Sequence, residues 1–149
     1  MAEYSNPGTQ TVAPGETVVF TLTRVPCRRG FVRHRDGTGN FLLSGGPVIR
    51  GGCCCNQNER KYLIDMKANI AVSEGETVGP ISLAYSVDGA TDAASVVTST
   101  PDAVGEYNSV SVAMEIPVWN GCCESFAIRN ISAISVDVNA ALVNITRRE

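Results

Sequence analysis

Six cysteines carry most of the reactive chemistry in this sequence, and their spacing is unusual. Cys53, Cys54 and Cys55 are consecutive in "RGGCCCNQNER", Cys122 and Cys123 are adjacent in "NGCCES", and Cys27 stands alone in "VPCRRG". Thiols so placed can bind a metal, form disulfides, act as nucleophiles or simply pack. In an extended segment neighbouring side chains point to opposite faces, so Cys53 and Cys55 share a side and Cys54 faces away. Bridging neighbours is strained, because adjacent Cα atoms are about 3.8 Å apart and disulfides span about 4.4–6.8 Å. Bonds are therefore expected between distant segments. The C-x2-C spacing of a zinc site is absent, although separate loops can still assemble a tetrahedral set. A nucleophilic cysteine needs a base, and the only histidine, His34, sits in strand-like "FVRHRDG". Disulfide, buried thiol and metal stay open as readings.

The second concentration is basic: Arg24, Arg28, Arg29, Arg33, His34 and Arg35. Arg28, Arg29, Arg33, His34 and Arg35 are candidates for contact with an anion, an acidic glycan or an acidic protein lattice. The plainer reading is a solvated strand edge, where charge discourages strand-to-strand aggregation. Asp88, Asp92 and Asp102 fall in loops, but "DGATD" lacks the full calcium-loop pattern. Trp119 and Tyr107 are candidates for a binding surface or for core caps near strand ends. "NIS" and "NIT" match glycosylation acceptors formally. The chain shows no phosphate-binding Gly loop, no framed pair of catalytic carboxylates and no Ser/His/Asp order. An enzyme is not expected, and neither is a cofactor.

The elements that must position these residues alternate with the two-residue period of half-buried strands. In "KYLIDMKANIAV", Tyr62, Ile64, Met66, Ala68, Ile70 and Val72 fall on one face, with Lys61, Asp65, Lys67 and Asn69 mostly on the other. "GPISLAYSVDG" keeps Ile81, Leu83, Tyr85 and Val87 in step and closes on the turn dipeptide Asp88-Gly89. "SVSVAMEIPVWNG" runs through Val110, Val112, Met114, Ile116 and Val118, and Pro117 marks an edge or an ending. Shorter strands are expected in "GETVVFTLTR", "GFVRHR", "GNFLLSG" and "SFAIRN". In "VDVNAALVNITRR" the phase slips at Ala140-Ala141, which predicts a bulge or a strand buried on both faces. Roughly eight to ten short strands with Gly-rich turns predict an all-β, two-sheet antiparallel jelly-roll sandwich. Residues 1–10 are expected as a flexible arm, and residues 11–149 as one domain. In such a sandwich the loops gather at the ends, which would bring Cys53 to Cys55 near Cys122 and Cys123, with Cys27 as a third corner.

A chain of 149 residues is long enough to bury a real core. With Lys+Arg 12 against Asp+Glu 15 the net charge is −3, so nucleic acid is not an expected partner. No apolar run is long enough to cross a bilayer, and the first residues lack a signal-peptide pattern. Synthesis in the cytoplasm is expected, with thiols reduced until the protein leaves.

The order "APGETVVF", "GFVRHRDGTGNFLLSG", "KYLIDMKANIAV", "SLAYSVDG", "CCESFAIRNIS" and "VNAALVNITR" resembles the C1q/TNF-like jelly roll of bacterial and phage surface proteins. More closely, "RRGFVRHRDGTG", "NIAVSEGETVGPISLAYSVDG", "TPDAVGEYNSVSV", "GCCESFAIRNIS" and "VNAALV" resemble small proteins of gut Firmicutes and their phages or prophages, from about Thr11 onward. The resemblance implies a homotrimer in which one sheet of each subunit packs about a three-fold axis, serving as a trimerising head or surface module without a shared catalytic site. It departs from the pattern in lacking a Gly-X-Y stalk and in its cysteine-rich loop. The function expected is a non-enzymatic virion component, as capsid decoration or fibre-associated head on a phage capsid or tail lattice. The alternative is a cell- or spore-surface adhesin for host-surface glycans or proteins. A third reading, a small enzyme or metal-dependent binder built on the cysteine cluster, needs bound metal.

Overall fold

The structure is a computed structural model and describes residues 1–47 and 59–148. Eleven strands occur among the described residues. They are β1 (Ala2–Val12), β2 (Leu22–Val25), β3 (Val32–His34), β4 (Phe41–Ser44), β5 (Glu59–Val72), β6 (Ile81–Val87), β7 (Ala90–Thr91), β8 (Val97–Ser99), β9 (Asn108–Trp119), β10 (Cys123–Asn130) and β11 (Val136–Arg148). One sheet runs β2-β1-β11-β5-β9; the other runs β3-β4-β10-β6-β7, with β8 also paired to β6. All pairings are antiparallel. The expected all-β, two-sheet jelly-roll sandwich is what the chain forms.

Alternation decides the core. Tyr62, Ile64, Met66, Ala68, Ile70 and Val72 of β5 are all buried, as are Ile81, Leu83 and Tyr85 of β6. They meet Phe41 and Leu43 of β4, Phe126 and Ile128 of β10, and Val136, Val138, Val143 and Ile145 of β11. Two tyrosines tie the sheets together across this core. The Tyr85 hydroxyl, carried by β6, donates to Val112 O of β9 at 2.9 Å and reaches Ile64 O of β5 at 3.2 Å. The Tyr62 hydroxyl, carried by β5, donates to Ser44 O of β4. A buried phenol satisfied in this way contributes apolar area without leaving an orphaned donor.

Local signals place the breaks. Asp88 and Gly89 form the two-residue β6–β7 turn with φ of 48° and 84°, both positive, as a hairpin of this length requires. Pro117 lies on β9, the last strand of its sheet, where a missing N–H leaves no ladder bond unmade. The slip at Ala140-Ala141 is a bulge: the β11–β5 register shifts between Asn139 and Leu142, and Ala140 has φ 50°. It returns Val143 and Ile145 to the core side, so the two-sided reading of this segment gives way to the bulge. Leu142 stays half-buried on the outer face.

The expectation of a loose arm over residues 1–10 is overturned. Residues 2–12 are β1, held between β2 and β11, with Ala2 and Tyr4 buried in the core. The Pro-Gly that suggested a loop occupies the register shift between Asn6 and Thr9, opposite the bulge in β11. Pro7 therefore interrupts the ladder where the ladder is already broken. The adjoining "GETVVFT" region is less regular than expected. Val18 and Phe20 are buried, but Thr17 and Phe20 make only isolated bridges, to Arg129 and Thr38, before β2 begins.

Candidate functional site

Of the three described cysteines, Cys122 and Cys123 lie at the β9–β10 turn and the start of β10, and Cys27 lies between β2 and β3. Gly121, at φ 83°, turns the chain between β9 and β10, and Cys122 N donates to Trp119 O at 3.0 Å. Gly45 N donates to Cys122 O and Gly121 N to Gly46 O, each at 2.9 Å. On the other side, Glu59 opens β5 opposite Trp119. Residues 46 and 59 therefore both abut this turn. Gly45 is required there, because an added Cβ would stand 1.8 Å from Trp119 O. Cys122 and Cys123 are exposed free thiols. Cys27 is a half-buried free thiol; Phe31 O, four residues on, accepts from Ser44 N, and Ser44 faces Cys123 in the β4–β10 register. Cys53, Cys54 and Cys55 lie outside the described residues. Among the described residues no disulfide forms, and no group of three or more His, Cys, Asp or Glu side chains could hold a metal ion.

The basic segment divides into four fates, the first being Arg24 of β2, whose Nε pairs with Glu3 Oε1 at 3.1 Å. His34 shares the inner face of β3 with Val32, and its side chain is only 1% exposed. It stacks on Phe41 at 4.4 Å between ring centroids and packs against Tyr4 at 4.9 Å, with Nε2 3.0 Å from Thr38 O. It packs into the core, with its Nδ1 3.7 Å from Asp36 Oδ1, and also borders the groove lined by Arg33 and Arg35. Arg28 and Arg29 line a hollow with Met1, Cys27, Phe31 and Arg147. Arg33 and Arg35 border a different groove, of about 720 Å³, on the outer face of the six-stranded sheet. They sit on and just beyond β3, the outermost strand, so the expected edge-protecting role fits as well.

That groove gains a third guanidinium that sequence order hides. Arg129 comes from β10, across β4 from β3, and joins the lining with Asn40, Leu42, Ser86, Ser125 and Ala127. Its Nη1 donates to Gly15 O at 2.5 Å, while its Nε is buried without a hydrogen-bond partner. Ser86 is 2% exposed, and its Oγ is likewise buried and unpartnered. With His34 Nδ1 the groove's lining holds three such atoms; a buried polar atom left unmatched costs about 1–3 kcal/mol, so three in one groove is an unusual concentration. Among the described residues no carboxylate pairs with Arg33, Arg35 or Arg129.

At the end of the groove Ser125 engages Asp88, whose Oδ1 accepts from Ser125 N at 2.8 Å and from Ser125 Oγ at 3.0 Å. Asp88 and Glu124 share a hydrogen bond between carboxyl groups. That bond, reinforced by burial and by the Asp88 charge, pushes the Glu124 carboxyl up to about 7. The same bond and the Ser125 donors hold Asp88 below the usual carboxylate range. The remaining candidates have simpler places. Asp92 caps a short 3-10 turn, accepting from Ala94 N at 2.8 Å, and Trp119 and Tyr107 are 48% and 42% exposed instead of capping the core. Asn130 of "NIS" is wholly buried, with Nδ2 donating to Val12 O and Ile134 O, which removes it as a glycan acceptor.

The outer face of the five-stranded sheet is the other broad surface. Exposed Asp65 and Lys67 alternate there with half-buried Leu63 and Asn69 on β5, beside half-buried Leu142 and Asn144 on β11. Two shallow hollows of about 310 and 340 Å³ meet at Lys67 and Leu142. The Asn144 Oδ1 is buried and has no hydrogen-bond partner.

No family model matches the chain, and no curated protein does either. Among solved structures, the sandwich is similar to the "Globular Domain of Zebrafish Complement 1qA protein", with a TM-score of 0.55 and 11% identity over 99% of this chain and 98% of that one. The fold is thus the jelly roll of a C1q globular domain. A further match is the "CBM22-1 xylan-binding domain from Paenibacillus barcinonensis Xyn10C", with a TM-score of 0.34 and 12% identity over 99% of this chain and 87% of that one. At that score the match bears on neither fold nor function.

Proposed function

We propose that this chain is a non-enzymatic assembly module that works as a homotrimer through the outer face of its five-stranded sheet. One observation carries the reading. That face presents half-buried Leu63 and Leu142, together with an Asn144 carbonyl that is shut off from water yet matched by nothing within the chain. A second copy would cover the leucines and supply a donor to Asn144, and Asp65 and Lys67 offer both signs of charge for pairing across it. On the motif order, which resembles that of small phage and Firmicutes proteins, we further propose that the trimer sits on the exterior of a phage particle, as capsid decoration or a fibre-associated head.

Size-exclusion chromatography with light scattering tests the assembly, with Leu142→Asp as the perturbing variant. The expected result is three chain masses for the native protein and one for the variant, with the far-UV β signal unchanged. A native protein that runs as a monomer at micromolar concentration contradicts the reading. Mass spectrometry of purified particles tests the location, and absence of the chain from them contradicts it. The second reading, a cell- or spore-surface adhesin, draws on the arginine-lined groove of the opposite sheet and requires the protein on cells or spores with no phage present.

A further inference from the structure

The groove on the six-stranded sheet has a chemistry of its own, independent of the assembly proposed above. Arg33, Arg35 and Arg129 supply guanidinium donors with no carboxylate partner among the described residues. A guanidinium fork matches a carboxylate bidentately, and its weaker hydration makes that exchange favourable in a partly enclosed place. Leu42 of β4, which is 37% exposed, lies between β3 and β10, and Ser86 of β6, whose buried hydroxyl has no partner, lies beyond β10 opposite buried Ala127. Hydroxyl and amide groups next to a small apolar floor are what a sugar ring needs, since it offers hydroxyls at its edge and C–H groups on its face. The volume, about 720 Å³, suits a ligand of one to three rings.

Other anions fit less well. The aromatic residues of the lining, Phe41 and Phe126, are 1% exposed and form the floor's underside, so no ring is available for bases to stack on. The net charge of −3 opposes a long polyanion. Two carboxylates flank the groove: Asp88, held by Ser125, and Asp36, which accepts from Thr23 Oγ1 and lies 3.7 Å from His34 Nδ1; neither pairs with an arginine of the lining.

We propose that this groove is a binding site for an acidic saccharide, a sugar bearing a carboxylate that Arg33, Arg35 and Arg129 grip while Ser86 takes a hydroxyl. The site lies on the sheet opposite the proposed trimer face, so it stays open whether or not the chain assembles.

The test is isothermal titration and ligand-observed NMR on the full chain with three probes: trigalacturonate, a hyaluronan tetrasaccharide and sialyllactose. Trigalacturonate methyl ester, a hexaglutamate peptide and an eight-nucleotide oligo-dT serve as comparisons. At least one acidic sugar is expected to bind in the micromolar to millimolar range, and trigalacturonate more tightly than its ester by about tenfold or more. Arg33→Gln/Arg35→Gln is expected to lose at least about tenfold, and Arg28→Gln/Arg29→Gln, which removes the same charge elsewhere, to lose nothing. Ser86→Ala is expected to weaken sugar binding while leaving the melting temperature equal or higher, an outcome that a purely structural serine would not give. Binding of none of the sugars overturns the proposal. So does tighter binding of the peptide or oligonucleotide, or an equal loss in Arg28→Gln/Arg29→Gln. Light scattering on the same samples keeps a failure of assembly separate from a failure of the groove.

Discussion

Tyr85→Phe removes one oxygen from the centre of the sandwich without changing its shape. The hydroxyl bridges the sheets from β6 to Val112 O at 2.9 Å and Ile64 O at 3.2 Å, in a side chain with no exposed surface. Because the ring volume is kept there is no cavity to add, and the loss is that of one buried hydrogen bond, about 1–1.5 kcal/mol at neutral pH. For a chain of this size that corresponds to about 3–5 °C in Tm. The phenol pKa is pushed above 10.0 by burial first and by the Asp65 charge second. A raised folded-state value means its contribution is complete below the unfolded pKa and is lost as pH rises toward the folded one. The native protein therefore gives up about 0.8 kcal/mol at pH 10.5 through this group, and the variant, which has no phenol at position 85, does not. Urea unfolding of both proteins at pH 7.5 and 10.5, at equal protomer concentration, should show a gap that shrinks to less than about half at the higher pH. A gap unchanged at pH 10.5, or above about 3 kcal/mol at pH 7.5, would refute this account of Tyr85.

Glu124→Gln tests the carboxyl pair. With Glu124 raised to about 7, the native state holds a proton there that the unfolded chain releases near 4.5. Its contribution is complete below that lower value and fades as pH rises through 7; the variant should lose this slope, read by urea midpoints from pH 4.5 to 8. Gly45→Ala should destabilise by about 1–3 kcal/mol, because the new Cβ meets Trp119 backbone with no flexible atom to move aside. Thermal melts check this, and an unchanged Tm rules out the close approach. Ala140→Gly should stabilise by about 0.5–1 kcal/mol, since the bulge holds Ala140 at φ 50°. A Tm that falls would argue against that backbone.

Much of the frame was readable because it follows from local rules. The strict alternation of "KYLIDMKANIAV" assigned six of the seven buried positions of β5, missing only Ala71, Pro117 marked an edge strand, Asp88-Gly89 marked its turn, and the broken phase at Ala140 marked the bulge. β1 was not readable, because Pro7-Gly8 signals a loop unless one knows that a bulge in β11 lies opposite. His34 carried a usable signal: it sits two residues from buried Val32 and out of phase with Arg33 and Arg35. Arg129 carried none. It reaches the groove only through the β3-β4-β10 pairing, a contact between distant parts of the chain, and the orphaned oxygens of Ser86 and Asn144 likewise exist only once neighbours surround them. The cysteine readings rest on Cys53 to Cys55, outside the described residues.

Native mass spectrometry of protein purified without reductant or chelator, paired with denatured masses before and after reduction, tests the central claim most directly. A metal-free trimer is the result this account predicts, with any disulfides appearing as mass gained in hydrogen pairs on reduction. A monomer, or a species carrying stoichiometric zinc or iron, would contradict it and turn attention to Cys53, Cys54 and Cys55.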